Sequence, residues 1–297
     1  MKGRKYYTVA QHTFCVEVSD NLPVDNLMRP YQPFAETEAK VPLFSLQIEV
    51  CRKLPLEQAG GLVRRFDDDA AFIWLYKRGD RYAFGFSNHI DVPMSVLIVD
   101  PNFRNGKLFV GEAQALSLLA FGINNSLMLL FALNTARLNT LLIHASVIRY
   151  RGNGFVFLGK SGTGKSTHAR LWLENVEDTS LLNDDNPVIR LEDDGVFVYG
   201  SPWSGKTPCY KNERIKLKAI VRLSQAPMNR IVKLNRLEAY ASLISSCSCM
   251  KWVRSMSDGV CDTVEKVIGQ CGCYFLECLP DKQAALLALH TVRTVEV

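Results

Sequence analysis

Residues 154 to 170 read GFVFLGKSGTGKSTHAR, and the interpretation of this stretch decides the fold. Phe155 to Leu158 is a short apolar run of strand type. It feeds directly into a loop carrying Gly159, Gly162 and Gly164, after which Lys165 to Asn175 has the pattern of a helix. Gly159, Gly164, Lys165 and Ser166 fill the G-x-x-x-x-G-K-[ST] pattern in the strand–loop–helix setting that this motif requires. Glycine has no Cβ, so such a loop can curl tightly and turn its N–H groups inward, and the start of the helix adds its positive dipole end. Gly159, Lys160, Ser161, Gly162, Thr163, Gly164, Lys165, Ser166 and Thr167 are therefore the candidate cradle for the phosphates of a purine nucleotide. Lys165 supplies a full positive charge to the β- and γ-phosphates, and the Ser166 hydroxyl is placed to ligate Mg²⁺. A glycine-rich turn beside a surface helix is the bland alternative, and it does not account for the flanks. The motif indicates phosphate binding and leaves the reaction open.

Phosphoryl transfer also needs carboxylates, to hold Mg²⁺ and to accept the proton of an attacking hydroxyl. Asp184 and Asp185 end the apolar run that includes Leu181 and Leu182, and Asp184 follows Lys165 by 19 residues (184 − 165). That separation suits one helix and a return strand. Neighbouring residues on an extended chain point to opposite faces, so at most one of the two aims at a substrate unless the strand has already ended. Two aspartates in an ordinary turn are the alternative.

Outward from this centre, the sequence divides near residue 111. Residues 1–110 show short apolar runs broken by turn residues: Phe14 to Val18, Phe44 to Cys51, Ala70 to Lys77, Tyr82 to Phe86 and Met94 to Val99. They indicate a mainly β region, structural or substrate-docking, with an irregular proline-rich stretch from Ser19 to Pro42. Gly111 to Leu138 has the character of a helix. Residues 111–297 then alternate strands and helices: strands at 141–150, 154–158, 181–184, 187–191, 196–199, 216–223 and 273–278, and helices at 165–175, 236–245, 259–269 and 281–292. The expected class is α/β or α+β with a mixed sheet.

With 47% hydrophobic and 22% charged residues, the chain has the balance of a globular protein rather than a disordered one. The net charge of +5 is not concentrated in any long basic run, which argues against a nucleic-acid partner. The N-terminal MKGRKYYTVA lacks the apolar core of a signal peptide, so a cytoplasmic location is expected. Ala113 to Leu133 is apolar enough to raise the question of a membrane. Asn124, Asn125 and Ser126 at its centre favour a buried core helix and no membrane partner. The nine cysteines, with Cys-x-Cys pairs at 247/249 and 271/273, lack the paired Cys-x-x-Cys spacing of zinc sites and are interpreted as small buried apolar groups.

HASV (144–147), GKSGTGKST (159–167) and LLNDDNPVI (181–189) together resemble, in order and spacing, the catalytic domain of bacterial HPr kinase/phosphorylase, whose P-loop is related to that of ATP-dependent phosphoenolpyruvate carboxykinase. The resemblance covers about 80 residues of the second half of the chain and implies a P-loop kinase domain of that type using ATP and Mg²⁺. It further implies that Asp184 acts as general base, that Asp185 helps organise Mg²⁺, and that His144 lines the site. The family's Glu-Ile-Arg-Gly-Leu-Gly signature is absent. The corresponding region, GSPWSGKTPCYKNERIKLKAIVRL (200–223), resembles HPr-kinase-like proteins of a side branch, some of which occur beside peptide-modification genes and phosphorylate serine. HPr as substrate and reverse phosphorolysis are therefore not carried over, and the family's metal-ligating glutamate has no counterpart.

Gly200, Pro202, Gly205 and Pro208 enforce an irregular path on the divergent segment. Lys206, Lys211 and Arg214 would bring three positive charges to the phosphate site if the segment folds over it, or would form a solvated basic loop. Trp203 either stacks on adenine or a peptide, or packs the loop to the core. The expected function is transfer of the γ-phosphate of ATP to a serine or similar hydroxyl of a protein or peptide. The alternatives are a small-molecule or carboxykinase-like phosphotransferase and a non-catalytic nucleotide-binding regulator; homo-oligomerisation is left open.

Overall fold

The computed structural model describes residues 3–18, 22–68, 71–88, 91–112, 114–205 and 207–293. The chain is a mixed α+β protein in two compact units, residues 1–134 and 135–297. The division falls at the end of the long helix rather than near residue 111.

In the first unit, strands β1 (Gly3–Val9), β2 (His12–Val18), β3 (Ala35–Glu36), β4 (Phe44–Cys51), β5 (Gly61–Asp68), β6 (Ala71–Arg78), β7 (Arg81–Ser87), β8 (Ser95–Val99) and β9 (Asn105–Gly111) form one mixed sheet in the order β3-β1-β2-β4-β9-β8-β7-β6-β5. The apolar runs Ala70 to Lys77 and Tyr82 to Phe86 supply the antiparallel hairpin β6–β7. β1, β5 and β9 were not evident from the sequence, because charged residues interrupt their apolar alternation. The stretch expected to be irregular contains a short helix α1 (Val24–Leu27) and a 3₁₀ turn (Arg29–Phe34) that buries Tyr31 and Phe34. After α2 (Leu56–Ala59) comes α3 (Leu116–Thr135), which by length and composition could cross a membrane. Leu119, Ile123, Leu127, Leu130 and Phe131 on it are buried. The central polar residues of α3 are satisfied inside the unit: Tyr31 Oη donates to Asn124 Oδ1 at 2.8 Å, Asn125 to Phe121 O at 2.9 Å and Ser126 to Gly122 O at 2.7 Å.

The second unit contains β10 (Thr140–Leu142), β11 (Ala145–Tyr150), β12 (Asn153–Leu158), α4 (Lys165–Asn175), β13 (Thr179–Asp185), β14 (Val188–Glu192), β15 (Gly195–Tyr199), β16 (Arg214–Gln225), β17 (Arg230–Lys233), α5 (Arg236–Ile244), α6 (Arg254–Ile268), β18 (Gly272–Cys278) and α7 (Lys282–Arg293). The sheet order is β10-β14-β15-β16-β12-β11-β13, with β18 beside β16 and β17 beside β18. The single strand expected over 141–150 is two strands. The register of β10 on β14 (Leu142↔Val188) continues unchanged into β11 on β13 (Ala145↔Asp185), bridged by Ile143 N to Pro187 O at 3.2 Å. One long ladder therefore breaks at residues 143–144 and 186–187, and its register shifts once more between Val147 and Ile148. Its two halves join β12 and β15, which both flank β16, so the hydrogen-bonded path returns on itself.

A core of Phe155, Phe157, Trp172, Val221, Tyr274 and Leu276 fills the space between the sheet and helices α4 and α7. His168 on α4 lies in this core. Its Nε2 accepts from Trp172 Nε1 at 3.1 Å, and its ring meets Phe157 edge-on at 4.7 Å. Burial pushes its pKa from 6.5 down to about 4. The folded state therefore holds His168 neutral while the unfolded chain binds a proton, so this contribution is complete above pH 6.5 and is lost as pH falls toward 4. We expect the urea midpoint of the wild type to drop more between about pH 7 and about pH 4.5 than that of His168→Gln. Equal drops would show that His168 does not carry the effect.

Candidate active site

The site is assembled where β12 ends and the long ladder breaks. Gly162 (φ +77°) and Gly164 (φ +103°) adopt left-handed backbone that disfavours side chains, and open space surrounds the Cβ position of Gly162. The loop curls over Lys165, whose Nζ donates to Gly159 O at 2.9 Å and Lys160 O at 3.2 Å. α4 starts at Lys165 with Gly164 as its N-cap, and its first amide bond is His168 N to Gly164 O at 2.8 Å. The amides of Lys165, Ser166 and Thr167 therefore have no acceptor within the helix and can take one from an anion. Lys165 is buried. That burial pushes its pKa down, opposed by Asp185 and Asp184.

The two acidic side chains take different hydrogen-bond partners while both act on Lys165. Asp184 is 4% exposed, and its Oδ1 accepts from Ser166 Oγ at 2.9 Å and from Ser146 Oγ, its cross-strand partner on β11. Asp185 Oδ1 lies 3.0 Å from His144 Nδ1, and its Oδ2 accepts from Asn186 Nδ2 at 2.8 Å. Lys165, Ser166, Asp184, Asp185 and His144 thus occupy one place. Ser166 and the two aspartates are hard oxygen donors of the kind that suits Mg²⁺, and the Lys165 ammonium with the helix-start amides suits a polyphosphate.

The divergent segment after β15 is only partly at this place. Gly205 N donates to Asp184 O at 2.7 Å, Ser204 bridges to Asp185, and Asn186 N donates to Trp203 O at 3.2 Å. Trp203 is 5% exposed, so it anchors the segment and does not offer its ring to a base. Lys211 Nζ donates to Leu181 O at 2.7 Å, well down β13 from the aspartates. Arg214 begins β16, stacks 4.4 Å over Phe197 and pairs with Glu192. It lies at the end of β16 that neighbours Asn153, far from the loop that follows Leu158. Neither Lys211 nor Arg214 reaches the phosphate loop, and Lys206 lies outside the described residues.

Two contributors were missed in the sequence. Ser146 lies inside the quoted HASV, but its role depends on a partner 38 residues away. The segment after α5 is joined to the site by His144 N to Ser246 O at 2.8 Å, with Ser248 N to Leu142 O at 2.9 Å, and no local pattern announces it. The cysteines carry free thiols, and among the described residues no group of three His, Cys, Asp or Glu has metal-binding geometry.

Gly200 tests how tightly the segment is seated, since an added Cβ would meet Lys211 O at 2.1 Å. Gly200→Ala should lower stability by about 1–3 kcal/mol through overpacking, whereas Gly162→Ala should cost about 1–2 kcal/mol through backbone strain alone. Chemical denaturation measures both. An unchanged Gly200→Ala midpoint would contradict the close approach.

A family model described as SynChlorMet cassette protein ScmC matches residues 112–268. Among solved structures, the Hpr(Ser) kinase/phosphatase from Coxiella burnetii aligns with 12% identity and a TM-score of 0.30, covering 51% of this chain and 93% of that one. No curated protein matches the chain. The family match spans more than half of the sequence and takes in the glycine loop, both aspartates and the divergent segment, and the chain belongs to the SynChlorMet cassette protein ScmC family.

Proposed function

We propose that this chain is a Mg²⁺- and ATP-dependent phosphotransferase that moves the γ-phosphoryl group to a serine or similar hydroxyl of a protein or peptide in the cytoplasm. The observation that carries this reading is the convergence of Lys165, Ser166, Asp184, Asp185 and His144 at one end of β12 and β13. A nucleotide-binding regulator needs the loop, but it has less need of two carboxylates and a histidine gathered beside it.

The loop amides and Lys165 would hold the β- and γ-phosphates, with Lys165 leaving its present carbonyl partners on Gly159 and Lys160. Mg²⁺, when bound, neutralises polyphosphate charge, and Ser166 with Asp185 would hold it. Asp184 would accept the proton of the acceptor hydroxyl. Its Oδ1 is occupied by two hydroxyl donors, so Oδ2 is the oxygen left for that role. Ser146 orients the carboxylate, and His144 orients Asp185. Catalysis would rest on positioning and electrostatics.

With purified protein, ATP and a candidate serine peptide, Lys165→Ala should abolish measurable Mg·ATP binding by calorimetry. Asp184→Asn should bind ATP yet lose transfer by about 10³-fold or more. Normal turnover by Asp184→Asn would refute the assignment of the base. Saturable ATP binding with no transfer to any hydroxyl acceptor would refute the phosphotransferase reading.

A further inference from the structure

Trp203, on the carboxylate side, is 5% exposed and does not offer its ring to a nucleoside, whereas the sheet order provides a surface on the other side. This inference rests on the phosphate reading above. Asp184 and Asp185 stand on the β11–β13 flank of β12, so a terminal phosphoryl group to be transferred points that way. The remainder of the nucleotide must run toward the opposite flank, over β16 and β18.

β12, β16 and β18 are parallel, so their C-terminal ends rise together on the side where the glycine loop follows β12. Leu158, the last residue before the loop, is level with Arg222 and, through it, with Phe275. β16 runs on to Gln225 and β18 to Cys278, so roughly 10 Å of strand rises past the start of the loop. Gln225 Nε2 donates to Gly162 O at 3.2 Å, which ties the top of this wall to the tip of the loop. The turns beyond the wall are tied to each other. Asn229 Nδ2 donates to Asp281 Oδ1 at 3.0 Å, and Asn229 Oδ1 accepts from Leu279 N at 2.8 Å. The result is one braced ledge, and it presents two apolar side chains to solvent: Met228 at 62% and Leu279 at 39% exposure. β18 lies two strands from β12, roughly 10 Å, which matches the reach of a ribose and base extending from a phosphate held in the loop.

We propose that this ledge is the nucleoside subsite, with Met228 and Leu279 lying against the flat face of a purine base and Gln225 keeping the ledge at the height of the loop. Methionine and leucine give such a surface through dispersion and apolar burial, and both suit the face of an aromatic ring.

Calorimetry with Mg·ATP and with Mg·tripolyphosphate, which lacks the nucleoside, tests the subsite. The wild type should bind both ligands. Met228→Asp and Leu279→Asp, which alter exposed side chains, should each weaken ATP by about tenfold and leave tripolyphosphate unchanged; the retained tripolyphosphate binding also shows an intact fold. If the wild type binds both ligands and neither variant weakens ATP, or if both ligands weaken equally, the subsite is overturned while the phosphate reading stands. A wild type that binds neither ligand would overturn the phosphate reading, and the subsite with it.

Discussion

The buried carboxylate of Asp184 is the constraint on which the second unit depends. A carboxylate withdrawn from water is tolerated only when donors replace its hydration. Here the donors are two hydroxyls, Ser146 from β11 and Ser166 from the first turn of α4, with the Lys165 ammonium close enough to feel both aspartates. A neighbouring strand and the first turn of the helix are fastened to one oxygen atom. The backbone of the same residue is held as well, since Asp184 O accepts from Gly205 N. The glycine loop, the acidic pair and the divergent segment therefore cannot shift independently.

The ladder break beside Asp184 supplies the remaining geometry. In an uninterrupted antiparallel pair, neighbouring side chains must take opposite faces. The break at 143–144 and 186–187 relaxes that rule, and His144, Asp185 and Asn186 turn toward one another within hydrogen-bonding distance. The backbone amide of His144 is satisfied from outside the ladder, by Ser246 after α5. A defect in the sheet thus becomes the place where three distant segments meet, as irregularities near functional sites commonly do.

The divergent segment has two parts with different tasks. Its first half, through Gly205, covers the acidic pair and is seated by the buried Trp203. Its second half runs along β13 and away, fixed by Cys209 Sγ on Leu182 O and Lys211 on Leu181 O, and ends in the Arg214, Glu192 and Phe197 cluster at the far end of β16. The charges of Lys211 and Arg214 are consumed in this anchoring. A segment so fixed holds its place on the carboxylate flank through backbone and buried side-chain contacts.

By itself the sequence determined what is local. The run into Gly159, the glycine spacing and the helix from Lys165 to Asn175 are dictated by backbone freedom at three glycines and by periodicity over neighbouring residues, and the helix has the expected limits. The position of Asp184 and Asp185 at the end of a strand was legible for the same reason. Tertiary structure decided what depends on pairing over distance. It alone placed Ser146 on Asp184, divided the stretch from 140 to 150 into two strands, and recruited Ser246 to His144. It also carried Arg214 away from the loop, because β16 runs parallel to β12 and its first residues lie at the opposite end from Leu158. Composition and spacing do not encode strand direction or register, and those two quantities decide which side chains share the site.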